Sequence, residues 1–166
     1  MLLSVRRSIG GIAVKSKLII RRSELRDVDD LRELYLRHLT QSPPPFPHGV
    51  EKWRELLAQL IADSNYHLLV GELDGKVVSS VTLVVIPNLT HNLRPYALVE
   101  NVVTHADFRK NGYARVLMNR AKEVAKSSDC YKLMLFTGAK DEKILKFYER
   151  CGYDSQGKTG FLMQLG

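Results

Sequence analysis

The sequence predicts an α/β (α+β) domain: a mixed central sheet, antiparallel in its N-terminal part, with helices on both faces. Three observations predict it. Two apolar runs, 66–73 and 77–86, flank Asp74-Gly75, a dipeptide suited to the left-handed turn of a hairpin. Two amphipathic helical patterns precede that hairpin. From residue 96 onward strand and helix patterns alternate, an order that fits crossover connections within one sheet.

Residues 1–16 contain Gly10, Gly11, Arg6, Arg7 and no acid, and are expected to be a flexible extension ahead of a single domain over 17–166. Leu18, Ile19 and Ile20 predict a short strand. Asp27, Asp29 and Asp30 stand where a first helical turn favours carboxylates, and Val28, Leu31, Tyr35 and Leu39 repeat at helical spacing. Stacked prolines in 42–47 end that helix. Val50, Trp53, Leu57 and Leu60 predict a second one. After the hairpin come a loop over 88–95, a strand over 96–104 and a helix over 112–126 carried by Val116, Leu117, Ala121 and Val124. A strand over 132–136, a short helix over 141–150 and a last strand over 159–165 complete the pattern.

The 166 residues, 45% of them hydrophobic, suffice for one core. No apolar run approaches the roughly 20 residues of a membrane span, so no membrane partner is expected. Neither the two cysteines nor the five histidines show metal-ligand spacing, and no metal is expected. Arg6, Arg7, Lys15 and Lys17 supply more than half of the net charge of +7. Elsewhere cations and acids interleave, which argues against a nucleic-acid partner. Cysteine usage and the lack of an export signal predict a cytoplasmic location.

The chemistry concentrates after residue 100. Val102-Val103-Thr104 runs into a polar turn, and Gly112 and Ala114 then open a helix. Orphan N–H groups at such an opening bind phosphate, and Arg109 and Lys110 add charge. Equally, Gly112 could supply only an unusual backbone angle at a strand-to-helix turn. Neither G-x-x-x-x-G-K-S/T nor G-x-G-x-x-G is present, which argues against a nucleoside triphosphate site.

Arg109-x-x-Gly112-x-Ala114 resembles the coenzyme A pyrophosphate loop of the GNAT superfamily of N-acetyltransferases, and Phe147-Tyr148-Glu149-Arg150-Cys151-Gly152-Tyr153 resembles that family's F-Y-x-x-x-G-F/Y segment. Asp141-Glu142-Lys143, Lys146-Phe147-Tyr148-Glu149 and Cys151-Gly152 are locally similar to its glucosamine-6-phosphate branch, although Ala139 stands where that branch carries an aspartate. The resemblance implies a GNAT-like sheet with strands splayed at the coenzyme A site and acetyl-CoA as co-substrate. It implies that the backbone of Val102, Val103 and Thr104 holds the pantetheine arm, and that Arg109, Lys110, Asn111, Gly112, Tyr113 and Ala114 hold the pyrophosphate. Asp141 falls where many members have an asparagine that touches the coenzyme A arm, and Phe147 adjoins the motif tyrosine.

Amide formation needs a base for the amine proton and an acid for the departing thiolate. By resemblance Tyr148 is that acid, and Glu100 stands where several members carry a catalytic carboxylate. A core aromatic and a solvated strand glutamate are the plainer readings of the same two residues. Strand alternation would turn Glu100 and Val102 the same way, and N–H groups near Val102 would steady the oxyanion. Cys130 and Cys151 lack a neighbouring histidine and are not expected to act as nucleophiles. Arg94, Tyr96 and Lys158, together with His91, are expected at the acceptor site, with Arg94 suited to a substrate anion. The implied activity is acetyl transfer to the primary amine of a small molecule by direct attack in a ternary complex. Acetylation of a protein or peptide, and a non-catalytic coenzyme A-binding module, are the alternatives. Family members often form dimers, so a homodimer is among the expected assemblies.

Overall fold

The computed structural model describes residues 4–9, 12–40 and 48–165. Strands β1 (Ser4–Ile9) and β2 (Ile12–Lys17) pair antiparallel in a sheet of their own. This hairpin falls where the sequence reading expects no regular element. Val5, Ile9, Ile12 and Val14 are β-branched and flank Gly10-Gly11, a hairpin signal that the basic, acid-poor composition conceals.

The main sheet contains β3 (Ile19–Arg22), β4 (Tyr66–Leu73), β5 (Lys76–Ile86), β6 (Tyr96–Thr104) and β7 (Leu133–Leu135), in that spatial order. β3 to β6 pair antiparallel and β7 joins β6 in parallel, so the sheet is mixed as predicted. Asp74 and Gly75 both take left-handed angles, φ 51° and 82°, and close the β4–β5 hairpin. The parallel step is bridged by α3 (Tyr113–Ser127).

Helices cover both faces. On one, α1 (Val28–Glu33), its π-helical continuation Leu34–Leu39 and α2 (Val50–Ala62) lay Val28, Leu31, Leu34 and Leu57 against Leu68, Val70, Val77 and Val103. On the other, Leu117, Met118, Ala121 and Ala125 of α3 pack on Leu69, Val81, Leu83, Ala97 and Val99, with Phe147 and Tyr148 of α4 (Glu142–Arg150) beside them. Full burial of a side chain such as Leu117 contributes about 2 kcal/mol, so these two layers fix the sheet on which the site is built.

Two predicted elements differ. The strand expected over 159–165 is absent: no described strand pairs with it, and Phe161, Leu162 and Met163 are at least 80% exposed. Apolar patterning without a partner to take up the backbone hydrogen bonds makes no strand. The strand expected over 132–136 contracts to Leu133–Leu135 because its ladder with β6 stops there. No described helix is long and apolar enough to cross a membrane.

Candidate active site

The site is built on an irregularity in β6. Thr82 pairs with Glu100 and the next pair is Ser80 with Val103, so Val81 stands opposite both Asn101 and Val102. Asn101 adopts a left-handed φ of 53° to form this bulge. The bulge reverses the alternation of the strand. Ala97, Val99 and Val102 pack toward α3, whereas Val103 joins α1 and α2 on the opposite face. Glu100, paired with Thr82, shares the face of Val103, so it does not face the same way as Val102 and the simple alternation fails here.

At the same point β6 and β7 part. Their pairing runs from Ala97 with Leu133 to Val99 with Leu135, while β6 continues beside β5 to Thr104. The splay opens a cleft of about 320 Å³. Val99, Glu100, Asn101 and Val102 form one wall, and Leu135, Phe136, Thr137 and Gly138 the other. Leu39 and Thr40 reach it from the end of the π-helical turn, and Tyr148 from α4. A second hollow, about 420 Å³, lies along α1 and its continuation, but its lining comes from that one segment and brings no groups together from separate elements.

Tyr148 is set by how α4 ends. Gly152 takes φ 93°, the Gly152 N–H donates to Glu149 O at 2.8 Å and the Tyr153 N–H to Tyr148 O at 3.2 Å. This pair of bonds is a Schellman closure, which brings the residue after the glycine back over the last turn. The Tyr153 ring accordingly meets Tyr148 edge-on, with centroids 6.3 Å apart, and Phe147 does so at 5.2 Å. Burial, with smaller contributions from Cys151 and Glu100, raises the Tyr148 pKa above its ordinary value. The phenol therefore keeps its proton at neutral pH. Burial also raises the thiols of Cys130 and Cys151, which are free, and keeps them protonated and poorly nucleophilic.

Beyond β6 the chain makes a tight turn into α3. Lys110 and Gly112 take left-handed angles, φ 64° and 80°, and Gly112 is the N-cap of α3. A Cβ at Gly112 would meet nothing within 4 Å, so the angle calls for glycine and the space beside it is open. The Val116 N–H donates to Gly112 O, while the N–H groups before it lie in the first turn, where a helix offers no acceptors. Asn111 Nδ2 donates to the carbonyls of Phe108 and Arg109. Tyr113 buries its ring with Leu18, Leu73 and Val78, leaving its backbone at the turn. Ala114 follows, half-buried, and Lys110 is exposed. Val103 O accepts from Ser79 Oγ at 2.8 Å, and Thr104 Oγ1 also contacts that hydroxyl. Asp141 caps α4 by accepting from the Lys143 N–H at 2.8 Å.

His91, Arg94, Tyr96 and Lys158, expected at the acceptor site, do not line this cleft. Arg94 Nε donates to Asp129 Oδ1 at 3.1 Å and to Asp129 O. His91 stacks on Tyr131 at 3.8 Å, and Lys132 lies over the rings of Tyr96 and Tyr131. These contacts hold the 88–95 loop against the α3–β7 turn, at the end of β6 away from the cleft. Lys158 is exposed in the irregular segment after α4. The cleft instead is lined by Leu39, Thr40, Asn101, Phe136, Thr137 and Gly138, which carry no functional motif in the sequence.

Glu33, His38 and His105 offer ligand atoms within 4.8 Å of one another. Their hydrogen bonds suit a metal poorly. Nδ1 of His38 accepts from the Ala106 N–H and Nδ1 of His105 from the Asp107 N–H, which leaves the proton of each neutral ring on Nε2, whereas a histidine bound to metal through Nε2 donates from its other nitrogen.

Residues 31–153 match the model of the acetyltransferase (GNAT) family. The chain is 31% identical over 118 residues to a glucosamine 6-phosphate N-acetyltransferase of Trypanosoma brucei brucei, covering 71% of this chain and 77% of that protein. A solved structure described as an acetyltransferase from Agrobacterium tumefaciens superposes with a TM-score of 0.81 at 37% identity, covering 89% of this chain and 99% of the other. Glucosamine-6-phosphate N-acetyltransferase of Arabidopsis thaliana shares the fold, with a TM-score of 0.72 at 20% identity over 90% of this chain and 97% of that one.

Proposed function

The chain belongs to the acetyltransferase (GNAT) family, and from that premise we propose that it transfers an acetyl group from acetyl-CoA to the primary amine of a small molecule, within a ternary complex. The observation that carries the proposal is Glu100 and Tyr148 lining one cleft, opened where β6 leaves β7, on the strand that leads into the Gly112 turn.

Acetyl-CoA, when bound, supplies an activated acetyl thioester. The open space beside Gly112 and the first turn of a 15-residue helix, whose N–H groups have no acceptor within the helix itself, suit its pyrophosphate. In this reading the N–H groups of Lys110 to Ala114 bind the pyrophosphate, and the backbone of Val102, Val103 and Thr104 binds the pantetheine arm. The Glu100 carboxylate receives the proton of the attacking amine, directly or through water, and Tyr148 Oη gives its proton to the departing sulfur. Phe136, Leu135 and Val99 narrow the water around both groups.

The glucosamine 6-phosphate named for the Trypanosoma relative is one candidate acceptor. Against it, Glu100 is the one charged side chain among the described cleft residues, and residues 41–47, which follow Thr40 in the chain, hold no cation. A phosphate would find no basic partner in that lining, whereas a cationic amine would find a carboxylate. Initial rates with acetyl-CoA and a panel of amines, each paired with its phosphorylated form, test the reading. Transfer to an unphosphorylated amine that Tyr148→Phe abolishes supports it, and no transfer to any amine contradicts it.

A further inference from the structure

Between the π-helical turn Leu34–Leu39 and the Gly112 turn lies a polar knot that the proposed chemistry does not use. His105 follows β6 and is 9% exposed. Its ring lies against that of His38, at the end of the π-helical turn, tilted by 44° with centroids 4.1 Å apart, and meets Phe108 edge-on at 5.4 Å. Each imidazole accepts a backbone N–H of the turn at Nδ1: His38 from Ala106 at 3.4 Å, His105 from Asp107 at 3.3 Å. Arg109 completes the knot, with Nε donating to Thr104 O and Nη2 to His38 O. Its guanidinium thus ties β6 to the π-helical turn.

We propose that His38 and His105 are positioning residues for the turn that binds the coenzyme A pyrophosphate, holding it through their Nδ1 lone pairs and coupling it to the π-helical turn whose end lines the cleft. The inference rests on the assignment of residues 110–114 to the pyrophosphate. Its physical basis is the direction of the two hydrogen bonds. A neutral imidazole with a lone pair at Nδ1 accepts an N–H, and the protonated ring is a donor at both nitrogens. Protonation of His38 therefore sets donor against donor at Ala106 and releases that end of the turn.

The surroundings are mixed in sign. Glu33 of α1 places Oε1 3.7 Å from His105 Nε2, Asp107 places Oδ2 3.9 Å from His105 Nδ1, and Lys76 of β5 neutralises Glu33 from 3.2 Å. Arg37 of the π-helical turn and Arg109 bring further positive charge. For His38, burial, then His105 and Arg109, outweigh Glu33 and Asp107 and lower its pKa, so the neutral ring prevails at neutral pH.

Three proteins separate this role from simple packing: wild type, His38→Phe, which keeps an aromatic ring but has no acceptor, and His38→Asn, whose Oδ1 can accept in place of Nδ1 and does not titrate. Coenzyme A affinity is measured by calorimetry at about pH 7.5 and about pH 5.5, either side of the ordinary histidine range. The phenylalanine variant is expected to bind about tenfold more weakly at the higher pH, the upper end of what the loss of one N–H bond accounts for. The asparagine variant should bind like wild type there and lose less affinity on acidification. Equal affinity and equal pH dependence in all three overturn the proposal. If wild type binds no coenzyme A, the pyrophosphate assignment fails. Amide hydrogen exchange at Ala106 then decides the positioning role alone: faster exchange in His38→Phe but not in His38→Asn supports it, and unchanged exchange refutes it.

Discussion

Glu100 and Tyr148 line the same cleft from different elements, and the Glu100 carboxylate joins burial and Cys151 in holding the Tyr148 phenol above its ordinary pKa. A group raised in this way keeps its proton until the pH passes that elevated value, so Tyr148 is available as an acid throughout the neutral range. Tyr148→Phe is expected to lower kcat by about a hundredfold or more with little change in acetyl-CoA affinity. Glu100→Gln removes one of the charges that raise the phenol. Its Tyr148 should ionise at lower pH than in wild type, read as the tyrosinate absorbance lost on adding Tyr148→Phe. An unmoved titration would separate the two residues.

The bulge predicts an ordered series at Asn101. Its φ of 53° is left-handed, a conformation that costs a β-branched residue about 1–2 kcal/mol more than glycine or asparagine. Asn101→Gly should retain stability and transfer, whereas Asn101→Val should lose both, as Glu100 and Val102 are pushed out of their faces. Urea midpoints and initial rates check the order. A stable, active valine variant would remove the bulge from the account.

Gly152 links stability to catalysis. An added Cβ there meets only Lys122 Nζ, at 3.8 Å, so the cost of Gly152→Ala comes from φ 93° and not from a clash, and is expected at about 1 kcal/mol. Because the same closure seats Tyr153 against Tyr148, kcat should fall by more than a surface substitution of equal stability cost. A kcat equal to wild type in the folded variant would show that the closure does not set Tyr148.

Arg21 anchors the opposite end of the sheet and carries a pH signature. Its guanidinium donates to both Asp27 oxygens at 2.7 Å and to Glu72 at 2.6 and 2.8 Å, and Asp27 is 4% exposed. Burial alone would raise the Asp27 pKa, but the bonds from Arg21 and the Glu24 N–H outweigh it and the net shift is downward. A carboxyl lowered by folding contributes stability that is complete above its unfolded pKa of about 3.9 and is lost as pH falls through the folded value. Asp27→Asn should therefore flatten the loss of stability between about pH 5 and about pH 2. Arg21→Ala, which strands a buried carboxylate, should cost about 3 kcal/mol at neutral pH. Identical acid unfolding of wild type and Asp27→Asn would contradict this.

The parts legible in the sequence are those where backbone geometry demands a residue type. Gly112 at φ 80° and Gly152 at φ 93° need glycine, and each lies in a motif that names its element. The Asp74-Gly75 turn is read for the same reason. The bulge is not legible, because Asn101 is one polar residue in an otherwise regular strand and its effect is to invert a parity that pattern reading assumes constant. Leu39 and Thr40 reach the cleft through a π-helical turn, which has no signal of its own. Arg94 looked free for an anion because its partner, Asp129, lies 35 residues along the chain. The segment over 159–165 has a strand's pattern and no strand to pair with, and pairing is a property of the fold.

Calorimetric titration of acetyl-CoA into wild type and Gly112→Glu tests the central assignment most directly. The substitution sets a carboxylate in the open space beside the α3 N-terminus, at a φ of 80° that glycine alone tolerates easily. The account predicts about micromolar binding by wild type, in the ordinary range for an enzyme substrate, and its loss in a variant that circular dichroism shows to be folded. Binding by the folded variant as tight as by wild type, or none by wild type, would contradict the placement of coenzyme A at this turn.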